Sequence, residues 1–454
     1  MFLPEGKPFD PSRLTRREFL WLTGLAGTAT AVSCAVNPVT GEQQLMLVSE
    51  AYEIQVDKES SPHQFSADYG ASQDAALNRY LSEVGDRLSG VSHRPDMPYS
   101  FRAVNATYVN AYAFPGGSIA ATRGILLGLD NEAELAALMG HEIGHVNARH
   151  TAQRMTKQVL VGVAVAVGTA VVANKNAKYA PLAAGLGAVG AGALLARYSR
   201  KDERQADQLG MEYMVRAGYT PQGMVGLMEL LQSMSDHKPS VIDMMFATHP
   251  MSEERYQTAK TRMTTQYADK ADLPDFRERY MDQTASLRKI KSAIDAMQNG
   301  EAAIIHEKYD DAESQLKTAL KQAPRDYAGL TMMAKLMLVR ERYDEAAGYA
   351  GQAMDVYPEE AQAHHVAGIA EMSRKRFESA FQDFDDYERL LPGNPNTIFL
   401  KGLSQEGMAH KQLAADEYMR FLKVVDQGEQ ADHAKTRLIE WGYMKPPAET
   451  TTGS

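Results

Sequence analysis

Apolar positions change period several times along this chain, and each change predicts an element. Leu77, Tyr80, Leu81, Val84 and Leu88 recur at helical spacing and predict an amphipathic helix over residues 74–90, while Ser49 carries a helix-start signal further upstream. Between residues 99 and 127 the period shortens: Tyr99–Val104 and Ile119–Ile125 read as strands, broken at Pro115-Gly116-Gly117. Helical spacing returns at Leu135, Leu138 and Met139, behind a capping box of Asn131 and Glu134. Val159–Ala173 is then unbroken in apolar, glycine and threonine residues, and Tyr179–Ala196 resumes it with many alanines and glycines. The first run has 15 residues and the second is weakly hydrophobic, so neither suits a membrane span. A helical hairpin inserted at 158–196 is expected instead, acting as a lid, touching a membrane surface or forming a small-residue core pair.

Residues 208–262 read as helical, and Asp269–Asp282 thins in apolar pattern while charge rises, which marks a linker at 266–288. Beyond it the chain repeats every 34 residues. Ala312, Ala346, Ala380 and Ala414 share one phase, Gly300, Ala334, Gly368 and Gly402 another, and Pro324, Pro358 and Pro392 close three units. Small residues at two fixed phases let paired helices approach, and the prolines stop the second helix: this is the tetratricopeptide pattern. It is expected over 289–443, with a polar capping helix near Asp432–Gly442 and a disordered tail at 444–454. A helical bundle without repeat geometry is the plainer alternative.

Composition adds two constraints. The formal net charge of −10 offers nothing basic enough to engage nucleic acid. The single cysteine, Cys34, excludes an intramolecular disulfide, and its setting explains it. Arg16-Arg17 precedes an apolar run from Phe19 to Val32 that ends Ala31-Val32-Ser33-Cys34, the layout of a signal peptide (1–33) with a lipobox. Cys34 is therefore the expected lipidation site and 34–48 a lipidated tether ahead of a domain at 49–265. The arginine pair resembles a twin-arginine export signal, although a general secretory signal also carries positive charge. Ala35 stands where inner-membrane lipoproteins resemble one another in having aspartate, which implies the periplasmic face of the outer membrane.

The chemistry centres on His141-Glu142-Ile143-Gly144-His145, an HExxH pattern. Residues four apart share a helix face, so both imidazoles can reach one metal while Glu142 addresses the adjacent position as a general base. Fifty-eight residues after His145, Glu203 can supply a third ligand, with a fourth position left for water. Asp207, one turn on, can hydrogen-bond a ligand histidine. A core helix with incidental histidines and a solvated acidic face are the bland alternatives for these two segments. The small sheet next to the motif could add an extended substrate along its edge or simply close the core.

HEIGH, the later ERQAD (203–207) and Asn110-Ala-Tyr-Ala-Phe-Pro115-Gly-Gly together resemble the gluzincin zinc peptidases of the CAAX-prenyl-endopeptidase-like family, specifically its periplasmic type with C-terminal tetratricopeptide repeats. The resemblance implies an α+β zincin-like domain, mostly helical with a small sheet, followed by an all-α tetratricopeptide solenoid. It implies one Zn2+ per chain on His141, His145 and Glu203, and catalysis through Glu142. Misassembled envelope proteins would be substrates and the β-barrel assembly machinery a partner of the repeats. It also implies a role for His249 in Thr248-His249-Pro250, where a histidine can take the fourth zinc position and hold the enzyme latent. Pro250 disfavours helix at His249, so that residue is expected on a loop with its ring free to point away from the core. The competing function is an assembly chaperone whose protease fold is idle.

Overall fold

The structure, a computed structural model, describes residues 34–165, 197–237 and 239–446. The expected signal peptide, most of the hairpin insertion and most of the tail lie outside the described residues. A two-stranded ribbon comes first, β1 (Cys34–Val36) pairing antiparallel with β2 (Gln43–Leu45). Past it, Met46 and Val48 are buried while Leu45 and Leu47 face outward, the alternation of an extended segment. Ser49 then caps α1 (Glu50–Ala67) by accepting the Tyr52 amide at 3.2 Å. Asp74 caps α2 (Ala75–Ser89) through the amides of Ala76 and Leu77, both at 3.0 Å, and the predicted stripe from Leu77 to Leu88 is buried.

The sheet has three strands in the order β3–β5–β4: β3 (Ser100–Val104), β4 (Ala111–Ala113) and β5 (Ser118–Thr122). The two expected strands are β3 and β5, the second ending at Thr122, where a helix begins, and not at Ile125. β4, which the pattern did not predict, pairs antiparallel with β5 across Pro115-Gly116-Gly117, and Gly117 sits at φ 103°, a conformation L side chains rarely adopt. β3 lies parallel to β5, so β4 is an outer strand. After α3 (Arg123–Gly128) comes α4 (Glu132–Asn147), which carries the HExxH motif. Asn131 accepts the Glu134 amide at 2.9 Å, but the return bond from Glu134 falls on the Asp130 amide at 2.7 Å, a capping box displaced by one residue. Every residue of α4 is buried, so it is a core helix and not the one-faced helix of the apolar stripe. α5 (His150–Val165) runs towards the insertion, and α6 (Arg200–Arg216), α7 (Gln222–His237), α8 (Pro239–Thr248) and α9 (Glu253–Thr265) complete the domain.

The segment expected as a linker is instead folded against the domain. It contains α10 (Arg277–Gln283) and α11 (Ala285–Lys289), with Tyr280 fully buried and its hydroxyl donating to the Leu126 carbonyl at 2.6 Å. The charges that suggested solvent exposure are used internally: Arg279 pairs with the buried Glu132, and Arg288 donates to the Leu129 carbonyl at 2.7 Å.

Four helix pairs follow: α12 (Lys291–Ile305) with α13 (Tyr309–Gln322), α14 (Tyr327–Val339) with α15 (Tyr343–Val356), α16 (Ala361–Ser373) with α17 (Phe377–Leu390), and α18 (Pro395–Gly407) with α19 (Lys411–Leu422). α20 (Glu429–Glu440) closes the array where a capping helix was expected. The four phased alanines are all fully buried. At two of the three glycines of the other phase an aromatic from the paired helix presses in, a Cβ on Gly368 lying 2.6 Å from Phe384 and one on Gly402 lying 2.6 Å from Tyr418, while at Gly300 the neighbour is Leu316 at 3.0 Å. A third 34-residue phase emerges in the backbone. Glu307, Glu341, Lys375 and Ala409, each in the turn inside a pair, are left-handed at φ 58–62°.

One apolar core runs from α2 through the sheet and α4 into the first three pairs. Polar contacts also cross that junction: Gln298 donates to the Thr107 carbonyl at 2.6 Å, Glu360 bonds Ser66, and Arg123 meets Asp326 at 2.5 Å with both side chains nearly inaccessible. Asp326 additionally caps α14 through the Gly329 amide at 2.9 Å. Asp326→Ala would strand the Arg123 guanidinium in the interior, so a loss of about 3–5 kcal/mol is expected in denaturant unfolding. A loss below about 1 kcal/mol would mean that the junction is wet.

Candidate metal centre

Two buried helices must nearly touch for this centre to form, and glycine permits it. A Cβ on Gly140 of α4 would fall 2.9 Å from the Gly210 carbonyl of α6, and one on Gly144 would fall 3.0 Å from the Ala206 carbonyl. That close crossing sets Glu203 and Asp207, one turn apart on α6, against His141 and His145 on α4. Ser199 and Asp202 fix the start of α6 with a reciprocal capping box. His141, Glu142, His145, Glu203 and His249 are all buried.

Ligand atoms of His141, His145, Glu203 and His249 lie within 4.8 Å of one another. The hydrogen-bond chain behind them fixes the tautomers. Gln205 Oε1 accepts from His150 Nε2 at 3.2 Å, so His150 Nδ1 is left to accept from His145 Nδ1 at 2.9 Å. His141 Nδ1 donates to Asp207 Oδ1 at 2.9 Å. Both Nε2 lone pairs therefore point inward, 3.0 Å apart, with Glu203 Oε1 3.4 Å from His145 Nε2. Two lone pairs and a carboxylate cannot satisfy one another, whereas a cation among them satisfies all three. Both carboxylate oxygens of Glu142 are buried without a hydrogen-bond partner, as a group aimed at a missing water would be. The residues present thus fit a divalent metal.

The electrostatics agree. Burial acts to raise the Glu203 carboxyl, but the charge of His249 and the bonds from His145 and His249 outweigh it and hold the group far below the carboxylate range. Burial pushes the Glu142 carboxyl up, partly offset by His249 and His141, and drives the His145 imidazole far down. Burial acts to lower His249, which Glu203 and Glu142 raise more strongly. The cluster holds one firm anion and calls for positive charge at its centre.

Residues 75–263 match the family profile described as Peptidase family M48, and residues 331–395 match a tetratricopeptide repeat profile. The chain carries an M48 peptidase domain. It is a zinc metalloendopeptidase by enzyme class, with tetratricopeptide repeats behind the catalytic domain. Among curated relatives, the beta-barrel assembly-enhancing protease of Yersinia pestis is 25% identical over 372 residues, covering 75% of either chain. The protein of that name from Escherichia coli (strain K12) is 26% identical over 307 residues, covering 62% of either chain. The metalloprotease YcaL of the same strain is 28% identical over 189 residues, covering 42% of this chain and 69% of its own.

Within the M48 domain the structure brings His141, Glu142, His145, Glu203, Asp207 and His249 to one place. His249 follows α8 on a bend before the Ser252 cap of α9, as Pro250 foretold, yet its ring does not point away from the core. It turns inward, Nδ1 3.2 Å from Glu203 Oε1 and Nε2 3.7 Å from Glu142 Oε1, because the acidic cluster attracts it. Three neighbours escaped the sequence reading. Arg255 grips Asp207 with two bonds at 2.7 Å and stands 2.7 Å from Glu203 Oε2, an ion contact lacking hydrogen-bond alignment. His150 orients His145, and Tyr198 stacks on the His145 ring with centroids 3.8 Å apart. A buried Glu203–Asp207 pair needs a counter-cation, and that requirement could have pointed to Arg255 in the stretch after His249.

Asp207→Ala would leave His141 without its acceptor and Arg255 without its main partner. Metal affinity, read by chelator competition, is expected to fall about 10- to 100-fold. Unchanged affinity would remove Asp207 from the site.

Proposed function

We propose that zinc, one ion per chain, is held by His141, His145 and Glu203, and that Glu142 acts as the base that hydrolyses peptide bonds in misfolded or misassembled envelope proteins. The observation that carries the reading is the convergence of two Nε2 lone pairs on Glu203 beside a buried Glu142 carboxylate with no hydrogen-bond partner. Bound zinc would supply Lewis-acid polarisation of the scissile carbonyl and of water. The chain's own residues do the rest. Glu142 takes a proton from water on a carboxylate oxygen and passes it to the leaving amine. Asp207 and His150 hold the two imidazoles in the tautomer that turns Nε2 inward. β4 is an outer strand, but Ala111, Tyr112 and Ala113 are all buried, so a substrate that pairs with this edge must first uncover it. His249 stands between Glu142 and the ligand set, in the space that water needs, and so keeps the enzyme latent until it withdraws.

The repeats suit protein binding, and the relatives' printed names point to β-barrel assembly, so unfolded outer-membrane clients and the β-barrel assembly machinery are the partners we propose. The lipobox supports periplasmic residence with a lipid on Cys34, at the outer membrane. Metal analysis of the purified protein, paired with cleavage of unfolded casein, tests the catalytic reading: one zinc per chain with chelator-sensitive cleavage is expected. Full zinc with no cleavage, in the wild type and in His249→Ala alike, would favour a chaperone with an idle protease fold. For the anchor, Cys34→Ser is expected to abolish incorporation of labelled fatty acid, and undiminished labelling would refute it.

A further inference from the structure

Four large apolar side chains are exposed close behind residue 34: Val36 at 57%, Leu45 at 44%, Leu47 at 45% and Tyr52 at 47%. In residues 34–265, only Met244 joins them among the exposed large apolar side chains described. The ribbon's register explains part of the grouping. Residue 34 faces Leu45 across the ladder, and Val36 lies two residues along the same strand, so positions 34, 36 and 45 share one face. Leu47 continues that face beyond β2. The segment is also prevented from turning over. Its opposite side is packed, Met46 and Val48 against Ala152 and Met155, and the Leu47 amide donates to Thr156 Oγ1 at 3.2 Å. An extended segment apolar on both sides expects cover on both, and among the described residues only the inner side has it.

We infer that Val36, Leu45, Leu47 and Tyr52 form a membrane-docking patch that lies in the surface of the bilayer to which residue 34 is tethered. This rests on the proposed lipid at Cys34 and deepens it, since a lipid alone fixes distance from the membrane but not orientation. The lipobox Ala31–Cys34 supplies the occupant: a lipid on Cys34, the first residue of β1, holds the ribbon against the bilayer that takes up the acyl chains. The surrounding exposed charges are mixed, Glu42, Glu50 and Glu59 with Lys58 and Lys157, so contact is apolar and requires no anionic lipid. Tyr52 adds the amphipathic ring favoured at such interfaces.

The test uses the full, processed protein in neutral phosphatidylcholine vesicles with brominated acyl chains. Single tryptophans replace Leu45, Leu47 or, as a control on the repeats, the exposed Leu413. Quenching of at least about twofold is expected for Leu45→Trp and Leu47→Trp, unaffected by 0.5 M salt as suits an apolar contact, with none for Leu413→Trp. Equal quenching at all three positions, or none at 45 and 47 in protein that floats with the vesicles, overturns the patch while leaving the anchor intact. Should Cys34 prove unlipidated, flotation on the same vesicles decides: loss of binding in Leu45→Asp/Leu47→Asp supports the patch, and absence of binding by the parent overturns it.

Discussion

Glu142→Gln is expected to bind zinc as the parent does and to cleave casein about 10^3-fold more slowly, within the range by which positioned acid–base groups accelerate proton transfer. The glutamine keeps the shape of a side chain that is fully buried, so packing in α4 is not disturbed. What is lost is the capacity to accept a proton. Neither Glu142 oxygen has a partner, so the amide breaks no hydrogen bond and the fold should be as stable as before. Zinc content, the thermal midpoint and the cleavage rate together separate the outcomes. Cleavage within about threefold of the parent would mean that another group serves as base, and lost zinc would mean that Glu142 is itself a ligand.

His249→Ala is expected to act in the opposite direction, raising cleavage about 10- to 100-fold. A site whose competent state is populated at 1–10% loses that factor in apparent activity, and removing the blocking group restores it. The same substitution should leave zinc bound, because His141, His145 and Glu203 remain. X-ray absorption gives a readout independent of activity: three nitrogen neighbours in the parent and two in the variant. Equal activity with an unchanged coordination shell would dismiss His249 as a gate and leave it as a buried counter-charge to Glu203.

What could be read in the sequence was whatever depends on short-range spacing. Asn131, Ser49 and Asp74 cap helices because a cap involves only the next three residues, and the HExxH geometry is internal to one helix. The repeats were legible for the same reason, each phase recurring every 34 residues. Arg255, His150 and Tyr198 were missed because their value comes from what they meet: Asp207, His145 and the ring beneath, each fixed only once α4 and α6 cross. The linker was misread on a related ground. Arg279 and Arg288 count as solvent-seeking in a composition window, yet Glu132 and the carbonyls of Leu127 and Leu129 receive them in the fold. His249 was placed on the right loop; that its ring turns into the group of His141, His145 and Glu203 and not away from the core follows from the local field, which comes from residues far along the chain.

Because one apolar core passes from the catalytic domain into the first three repeat pairs, the array is not a detachable module. Cutting the chain near residue 290 would take Gln298 from the Thr107 carbonyl, Glu360 from Ser66 and Lys335 from the Tyr69 ring, and would leave the Arg123 guanidinium without the Asp326 that neutralises it. Such a truncation would aggregate or melt early, and its inactivity would say nothing about recruitment. Swapping repeats between relatives would meet the same obstacle unless residues 66–71 and 105–126 travelled with them. Catalytic domain and repeat array must therefore have changed in concert, each substitution at the seam being tested by whether the whole chain still folds.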